Sequence, residues 1–281
     1  MDGLAHYVEG WQPAPLTAED PLAPETAQRL AATLDLDDRC AAGAALPPLW
    51  HWVYFTEWPS TAELGPDGHP RAGHFLPPLP NRRRMFAGGR LTVTSPLVLG
   101  RPAERQSAVT AIRVKSGRTG ELLFVTVRQE YRQDGELRLA EEQDIVYRSD
   151  DGATTSFTRA AASLAASSAP WSARPETHPA LLFRFSALTA NAHRIHYDQQ
   201  YAEDVEGFPA LVVHGPLLAV YMAELVRAQG KAIAAFEFRL SKPVFVGDPI
   251  EVQGVPDGDT VSLAVASGAG DIHASATATF A

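Results

Sequence analysis

Cysteine is almost absent from this chain. One residue, Cys40, among 281 excludes an internal disulfide and a thiolate metal site. It reads as a small, partly buried thiol in a reducing compartment. Long apolar runs are also missing: none approaches the ~18 residues of a membrane-spanning helix. The first residues, MDGLAHYVEGWQPAP, lack the basic-then-apolar order of a signal peptide and the arginines of a transit peptide. The expectation is a cytoplasmic protein with no membrane partner. Positive charge is in deficit, with 24 Lys and Arg against 33 Asp and Glu and a net charge of −9. That excludes a global field for nucleic acid, so any bound anion needs a local cluster of arginines. There is no G-x-S-x-G, no P-loop and no G-x-G-x-x-G.

What is present is a soluble composition, 45% hydrophobic and 20% charged, long enough for one large domain or two modest ones. Residues 1–23 read as a proline-rich arm. Pro24 opens a helical pattern with Ala27, Leu30, Ala31 and Leu34 on one face. Pro47–Phe55 is bulky and apolar all round, which predicts a helix wrapped by other structure. Gly65–Pro80 is punctuated as a loop and runs into the basic segment Arg82-Arg83-Arg84-Met85-Phe86-Ala87-Gly88-Gly89-Arg90. That segment is either a solvated loop end or an anion contact, since arginine forks fit phosphate and carboxylate. Strands are predicted near Leu91–Val93 and over Ala111–Lys115, Glu121–Tyr131 and Glu136–Tyr147. Residues 149–180 lose all periodicity and read as a linker. A strand over Leu181–Ala187, a helix from Gly215-Pro216 to Gly230, and strands over Ala234–Leu240, Pro249–Val255, Thr260–Ala266 and Ile272–Phe280 follow.

The halves repeat. Pro96-Leu-Val-Leu-Gly100-Arg-Pro102 matches Pro243-Val-Phe-Val-Gly247-Asp-Pro249, and Leu91 and Val93 fall in phase with Phe238 and Leu240. An apolar helix wrapped by a long antiparallel sheet is the hot-dog arrangement. Two copies predict an α+β double hot dog: residues 1–148 as one half with its arm, 149–180 as linker, and 181–281 as the second half.

Reactive chemistry concentrates between Phe183 and Leu218. His193, His196 and His214 lie there with Asn191 and Asp198. A lone loop histidine is more often structural than catalytic, but His196 has Asn191 before it and His214-Gly215-Pro216 after it. Gly215 stands where a helix begins. Its N–H and the positive end of the helix dipole suit a developing oxyanion; the alternative is a plain helix start. His193-x-x-His196 could be half of a metal site, but no partnering cysteine or paired carboxylates stand out, so no metal is expected.

Ser186-Ala-Leu-Thr-Ala-Asn191-Ala-His193-Arg-Ile-His196-Tyr-Asp198, followed by Val213-His214-Gly215-Pro216-Leu217-Leu218, resembles the MaoC-like, R-specific enoyl-thioester hydratases and dehydratases. The nearest branch is the double-hot-dog type 2 3-hydroxyacyl-thioester dehydratases, which includes mesaconyl-C4-CoA hydratases; Arg83–Gly89 resembles that branch as well. The resemblance implies reversible hydration of an α,β-unsaturated acyl-CoA with no cofactor, in the second half, the first being non-catalytic. Mesaconyl-C4-CoA or a related short dicarboxylyl-CoA is the candidate substrate. A broader-range dehydratase of fatty-acid metabolism, a thioesterase using Glu224, and a non-catalytic acyl-CoA binder are the alternatives. The family motif Asp-x-Asn-Pro-x-His places His196 at the catalytic histidine. Asn191 stands at the aspartate, His193 at the asparagine and Arg194 at the proline. The resemblance also gives Asp198 a bracing role and assigns the Gly215 amide to the thioester oxygen. Asparagine neither accepts nor releases a proton at neutral pH, so Asn191 would fix the water while His196, alone or with His193, moves protons. Arg82, Arg83, Arg84 and Arg90 are candidates for CoA phosphates or a substrate carboxylate. A monomer or a homodimer of double hot dogs is expected.

Overall fold

In the computed structural model, residues 3–80, 82–117, 120–149, 157–159, 163–164, 167–268 and 270–281 are described. The helices are α1 (Leu4–Tyr7), α2 (Pro24–Thr33), α3 (Pro179–Leu188), α4 (Gln199–Asp204) and α5 (Gly215–Ala228). The strands are β1 (Leu16–Asp20), β2 (Arg82–Val93), β3 (Ala103–Gly117), β4 (Gly120–Gln133), β5 (Glu136–Ser149), β6 (Trp171–Ala173), β7 (Ile233–Leu240), β8 (Ile250–Asp257), β9 (Thr260–Ser267) and β10 (Asp271–Phe280). All ten join one antiparallel sheet in the order β1-β3-β4-β5-β2-β7-β10-β9-β8-β6. Read outward from the β2–β7 seam, each half has the same strand order. The double hot dog expected from the repeated corner is therefore present. The corner glycines match too: Gly100 and Gly247 have φ of 75° and 79°, a left-handed turn that glycine makes without steric cost.

Several local expectations are corrected. Leu181–Ala187 is helical, not a strand. His178 caps α3 by accepting the Leu181 N–H on Nδ1 at 3.2 Å, and Pro179 sits in the first turn. Leu181, Leu182, Phe185 and Ser186 are buried while Phe183 and Arg184 face out. That is helical spacing. Pro47–Phe55 is not a long helix. It contains one 3-10 turn, Trp50–Val53, because Leu49 is left-handed (φ 69°) and Phe55 is as well (φ 55°). The buried Glu141 carboxylate holds this turn, accepting from Trp52 Nε1 at 2.7 Å and pairing with His51 Nε2 at 3.0 Å. Among the described residues, the first half has this 3-10 turn where the second half has the long helix α5. The basic run Arg82–Arg90 belongs to β2, not to a loop end. The N-terminal arm contributes β1, and the stretch taken as linker contributes β6, while much of 150–166 lies outside the described residues.

Helix α5 is the hub of the second half. Leu217, Leu218, Ala219, Val220, Met222, Ala223, Leu225 and Val226 are buried on it, against β6 to β10. Each large apolar side chain buried this way contributes about 1.5–3 kcal/mol. Helices α2 and α3, both opened by proline, pack together across the halves. Glu224 near the end of α5 accepts from Trp50 Nε1 at 2.8 Å and pairs with Arg227, which also forks onto Asp38. Both of its oxygens serve packing, so it is not the free carboxylate a thioesterase helix would need.

Candidate active site

The loop after α3 is shaped by its own polar groups. Asn191 Oδ1 accepts the His193 N–H at 3.0 Å, an Asx-type turn that sends the chain into the 3-10 turn Arg194–His196. Asp198 caps α4 by accepting from Tyr201 N at 3.1 Å and takes both Arg194 Nε (3.0 Å) and Nη2 (2.7 Å). It braces the loop, as the resemblance implied. Arg194 also lies over the Tyr201 ring at 4.1 Å and donates to Pro66 O at 2.9 Å, reaching into the first half.

His196 is buried. Its Nδ1 lies 2.7 Å from Val212 O. A carbonyl only accepts, so Nδ1 carries the hydrogen and Nε2 of the neutral ring holds a lone pair. Nε2 has no hydrogen-bond partner among the described residues. Burial lowers the His196 pKa to about 4; the Val212 bond opposes this and the His69 charge adds to it. The ring is therefore a neutral base at pH 7.

Behind it, His214 stacks on His196 with centroids 3.6 Å apart and planes at 18°. Its Nε2 bonds Ser186 Oγ at 2.8 Å, and its buried Nδ1 has no partner among the described residues. Protonation would bury an unpaired N–H, which is costly. Burial, followed by the charges of His196 and His193, holds its pKa well below the ordinary value. A ring kept neutral against His196 offers its π face to that ring if it becomes cationic. Gly215 follows at the first position of α5, directly after this histidine.

On the other side, His193 meets His196 edge-on at 5.6 Å and His69 at 4.1 Å. The sequence reading passed over His69. It lies in the loop Gly65–Arg71 of the first half, where Asp67 Oδ1 accepts the His69 N–H at 3.0 Å and Oδ2 lies 2.9 Å from His69 Nδ1. The loop is pressed onto the second half: Arg194 N donates to Asp67 O at 2.9 Å. At Gly68 (φ +90°) an added Cβ would stand 1.8 Å from Ala192 O. Donor atoms of Asp67, His69 and His193 lie within 4.8 Å of one another. Both oxygens of Asp67 already face His69, so the trio is organised as a hydrogen-bonded pair against a third ring. An Asp-Gly-His with a carboxylate and an imidazole two positions apart was the available signal, but it read as an ordinary turn.

The arginines divide. Arg82 donates to Pro77 O and Arg71 O, and Arg90 is held by Glu142 and Asp144. Both are committed within the protein. Arg83 approaches Glu206 at 3.9 Å. Arg84 is exposed and has no hydrogen bond or ion pair among the described residues; its charge helps lower the pKa of His193, after burial, His69 and His196.

A family model described as hydroxyacyl-thioester dehydratase type 2 matches residues 49–246, a span that contains this whole histidine row. The chain belongs to that family. This type 2 dehydratase is an enzyme of the hydro-lyase kind, with hydratase or dehydratase activity. It is 45% identical over 241 residues to a mesaconyl-C(4)-CoA hydratase of Chloroflexus aurantiacus, covering 84% of this chain and 85% of that protein. It is 28% identical over 238 residues to the mitochondrial hydroxyacyl-thioester dehydratase type 2 of Schizosaccharomyces pombe, covering 74% and 77%. Among solved structures, a MaoC-like dehydratase from Phytophthora capsici superimposes with a TM-score of 0.71 at 14% identity, covering 99% and 98% of the two chains. HtdX of Mycobacterium tuberculosis does so at 0.64 and 16% identity, covering 95% and 100%. These two likenesses concern the fold.

Proposed function

We propose that this type 2 dehydratase adds water reversibly across the double bond of mesaconyl-C4-CoA or a related short dicarboxylyl-CoA, with His196 as the base. The observation that carries the catalytic assignment is the Nδ1–H bond from His196 to Val212 O, which leaves the Nε2 lone pair without a partner among the described residues. The 45% relative supports the substrate class.

In the hydration direction, His196 Nε2 takes a proton from water while the oxygen bonds to the β-carbon. The π pair of the double bond moves toward the thioester oxygen, which the Gly215 N–H at the start of α5 stabilises. The α-carbon then receives a proton from His196 or from His193. Asn191 spends its carbonyl on the His193 N–H, so its amide nitrogen is the group left to hold the water. Arg84 is the arginine best placed to meet the second carboxylate or a CoA phosphate, with Arg83 beside it. The catalytic half on this reading is 181–281, with β6 joined to it. The chain works without cofactor in the cytoplasm, and a monomer suffices because one sheet already joins both halves.

Purified protein incubated with mesaconyl-C4-CoA and with crotonyl-CoA should deplete the enoyl-thioester absorbance of the first faster. His196→Ala should lower kcat by about 10²–10⁴. Equal or better turnover of monocarboxylic enoyl thioesters would favour the broader-range dehydratase. Release of free CoA would favour a thioesterase, and a fully active His196→Ala variant would remove His196 from the mechanism.

A further inference from the structure

The second half lacks a carboxylate where the wider family motif has one, because position 191 is asparagine. Any imidazole that becomes cationic during proton transfer needs a negative charge nearby, since the site is buried and its other charges are positive. The groups facing His193 are His69 and Asp67 from the first-half loop, Arg84 from β2, and His196 and His214 from its own half. Of these, Asp67 alone is anionic. It lies against His69, whose ring covers His193 at 4.1 Å, with donor atoms of all three within 4.8 Å.

We infer that Asp67, acting through His69, is the working carboxylate of this active site, supplied by the half that carries no histidine motif of its own. It rests on the reading of His196 as the base. Asp67 accepts the Nδ1–H of His69, which fixes that ring's tautomer and turns its Nε2 edge away from the carboxylate. His69 in turn holds the His193 ring. The negative charge offsets the positive charge that appears on the histidine row after His196 takes the proton of water. Asp67 and His69 are thus positioning residues for His193, and they exchange no atoms with substrate. The loop geometry is built for this. Gly68 allows the backbone of the loop to touch Ala192, and Arg194 bonds to both Asp67 O and Pro66 O. The first half therefore contributes more than a wall to the groove.

The test is a set of four variants of the full chain: Asp67→Asn, His69→Gln, His196→Ala, and Asp67→Asn combined with Asn191→Asp. Asp67→Asn and His69→Gln should each lower kcat by about tenfold to a hundredfold, with KM within about threefold of wild type and one limb of the pH–kcat profile displaced. Their thermal midpoints should stay near wild type. Asn191→Asp should restore part of kcat in the Asp67→Asn background, because it returns a carboxylate to the position the family motif gives it. Asp67→Asn with kcat within about twofold of wild type and an unchanged profile, or with a loss that tracks a fall in thermal midpoint and is not rescued, would overturn the inference. If His196→Ala is inactive while the Asp67 and His69 variants are normal, this inference alone fails. If His196→Ala turns over normally, the base assignment itself is wrong. Imidazole ¹⁵N shifts keep the question open to decision in that case: His69 should be the Nδ1–H tautomer, and Asp67→Asn should shift the His193 nitrogens. Unmoved His193 resonances would overturn the coupling.

Discussion

Mild acid should destabilise this protein in a way that traces to the histidine row. His196 has a folded-state pKa of about 4 because it is buried, whereas an unfolded histidine titrates near pH 6.5. As pH falls below about 6.5 the unfolded chain takes up a proton that the folded chain refuses, so stability drops until pH reaches the folded value. At pH 5 this amounts to roughly 2 kcal/mol for His196 alone. His193 and His214 are shifted in the same direction, His193 by burial first and then by its positive neighbours, His214 by burial and the same row. They steepen the loss. Differential scanning calorimetry between pH 7.5 and 5 should show the thermal midpoint falling by roughly 4–8 °C from His196 alone, and further with the other two. His196→Gln, whose amide can still donate to Val212 O, removes the titrating group. Its midpoint should fall less over the same interval, the difference being about 2 kcal/mol. A wild-type midpoint that is flat from pH 7 to 5, or an equal slope in His196→Gln, would refute the neutral, buried state assigned to this ring.

Two further outcomes follow from the geometry. Gly68→Ala places a Cβ 1.8 Å from Ala192 O at φ +90°. The left-handed backbone costs roughly 1–2 kcal/mol and loss of the Arg194–Asp67 backbone bond about 1 more, so both thermal midpoint and kcat should fall, whereas Gly68→Ala with wild-type kcat would show that the loop need not touch the catalytic turn. Arg84→Ala should raise KM for a dicarboxylyl-CoA by about tenfold, as expected for loss of a charged hydrogen bond, and change KM for crotonyl-CoA less; an equal rise for both would assign Arg84 to the CoA portion.

Much of the architecture is legible in local pattern because strands and hairpins are local. The alternation over Glu121–Tyr131 and Glu136–Tyr147 and the turn between them fixed β4 and β5. The repeated Pro–Gly–Pro corner gave the duplication, since both copies need the same left-handed glycine. His196 and Gly215 stood out because the loop motif and the helix start lie within 20 positions of each other. The same locality misled at Pro47–Phe55 and Leu181–Ala187. Apolar residues without a clear period satisfy helix and strand alike, and only the neighbours decide.

The sequence alone determined the repeat, the strand ladder, the histidine loop and the loss of the motif carboxylate at Asn191. Only the tertiary structure decided which residues stand around that loop. His69 and Asp67 are more than 120 positions from His193, and nothing in local composition sets that distance. The β2–β7 seam and the Gly68 contact bring them together. The fate of the arginines was likewise a matter of partners: Arg90 is neutralised by Glu142 and Asp144 across the β2–β5 pair, while Arg84, six residues earlier on the same strand, meets no carboxylate among the described residues. Burial makes the difference chemical. Burial holds the His196 ring neutral and the Val212 carbonyl fixes its tautomer, and both come from the packed fold and not from the loop sequence.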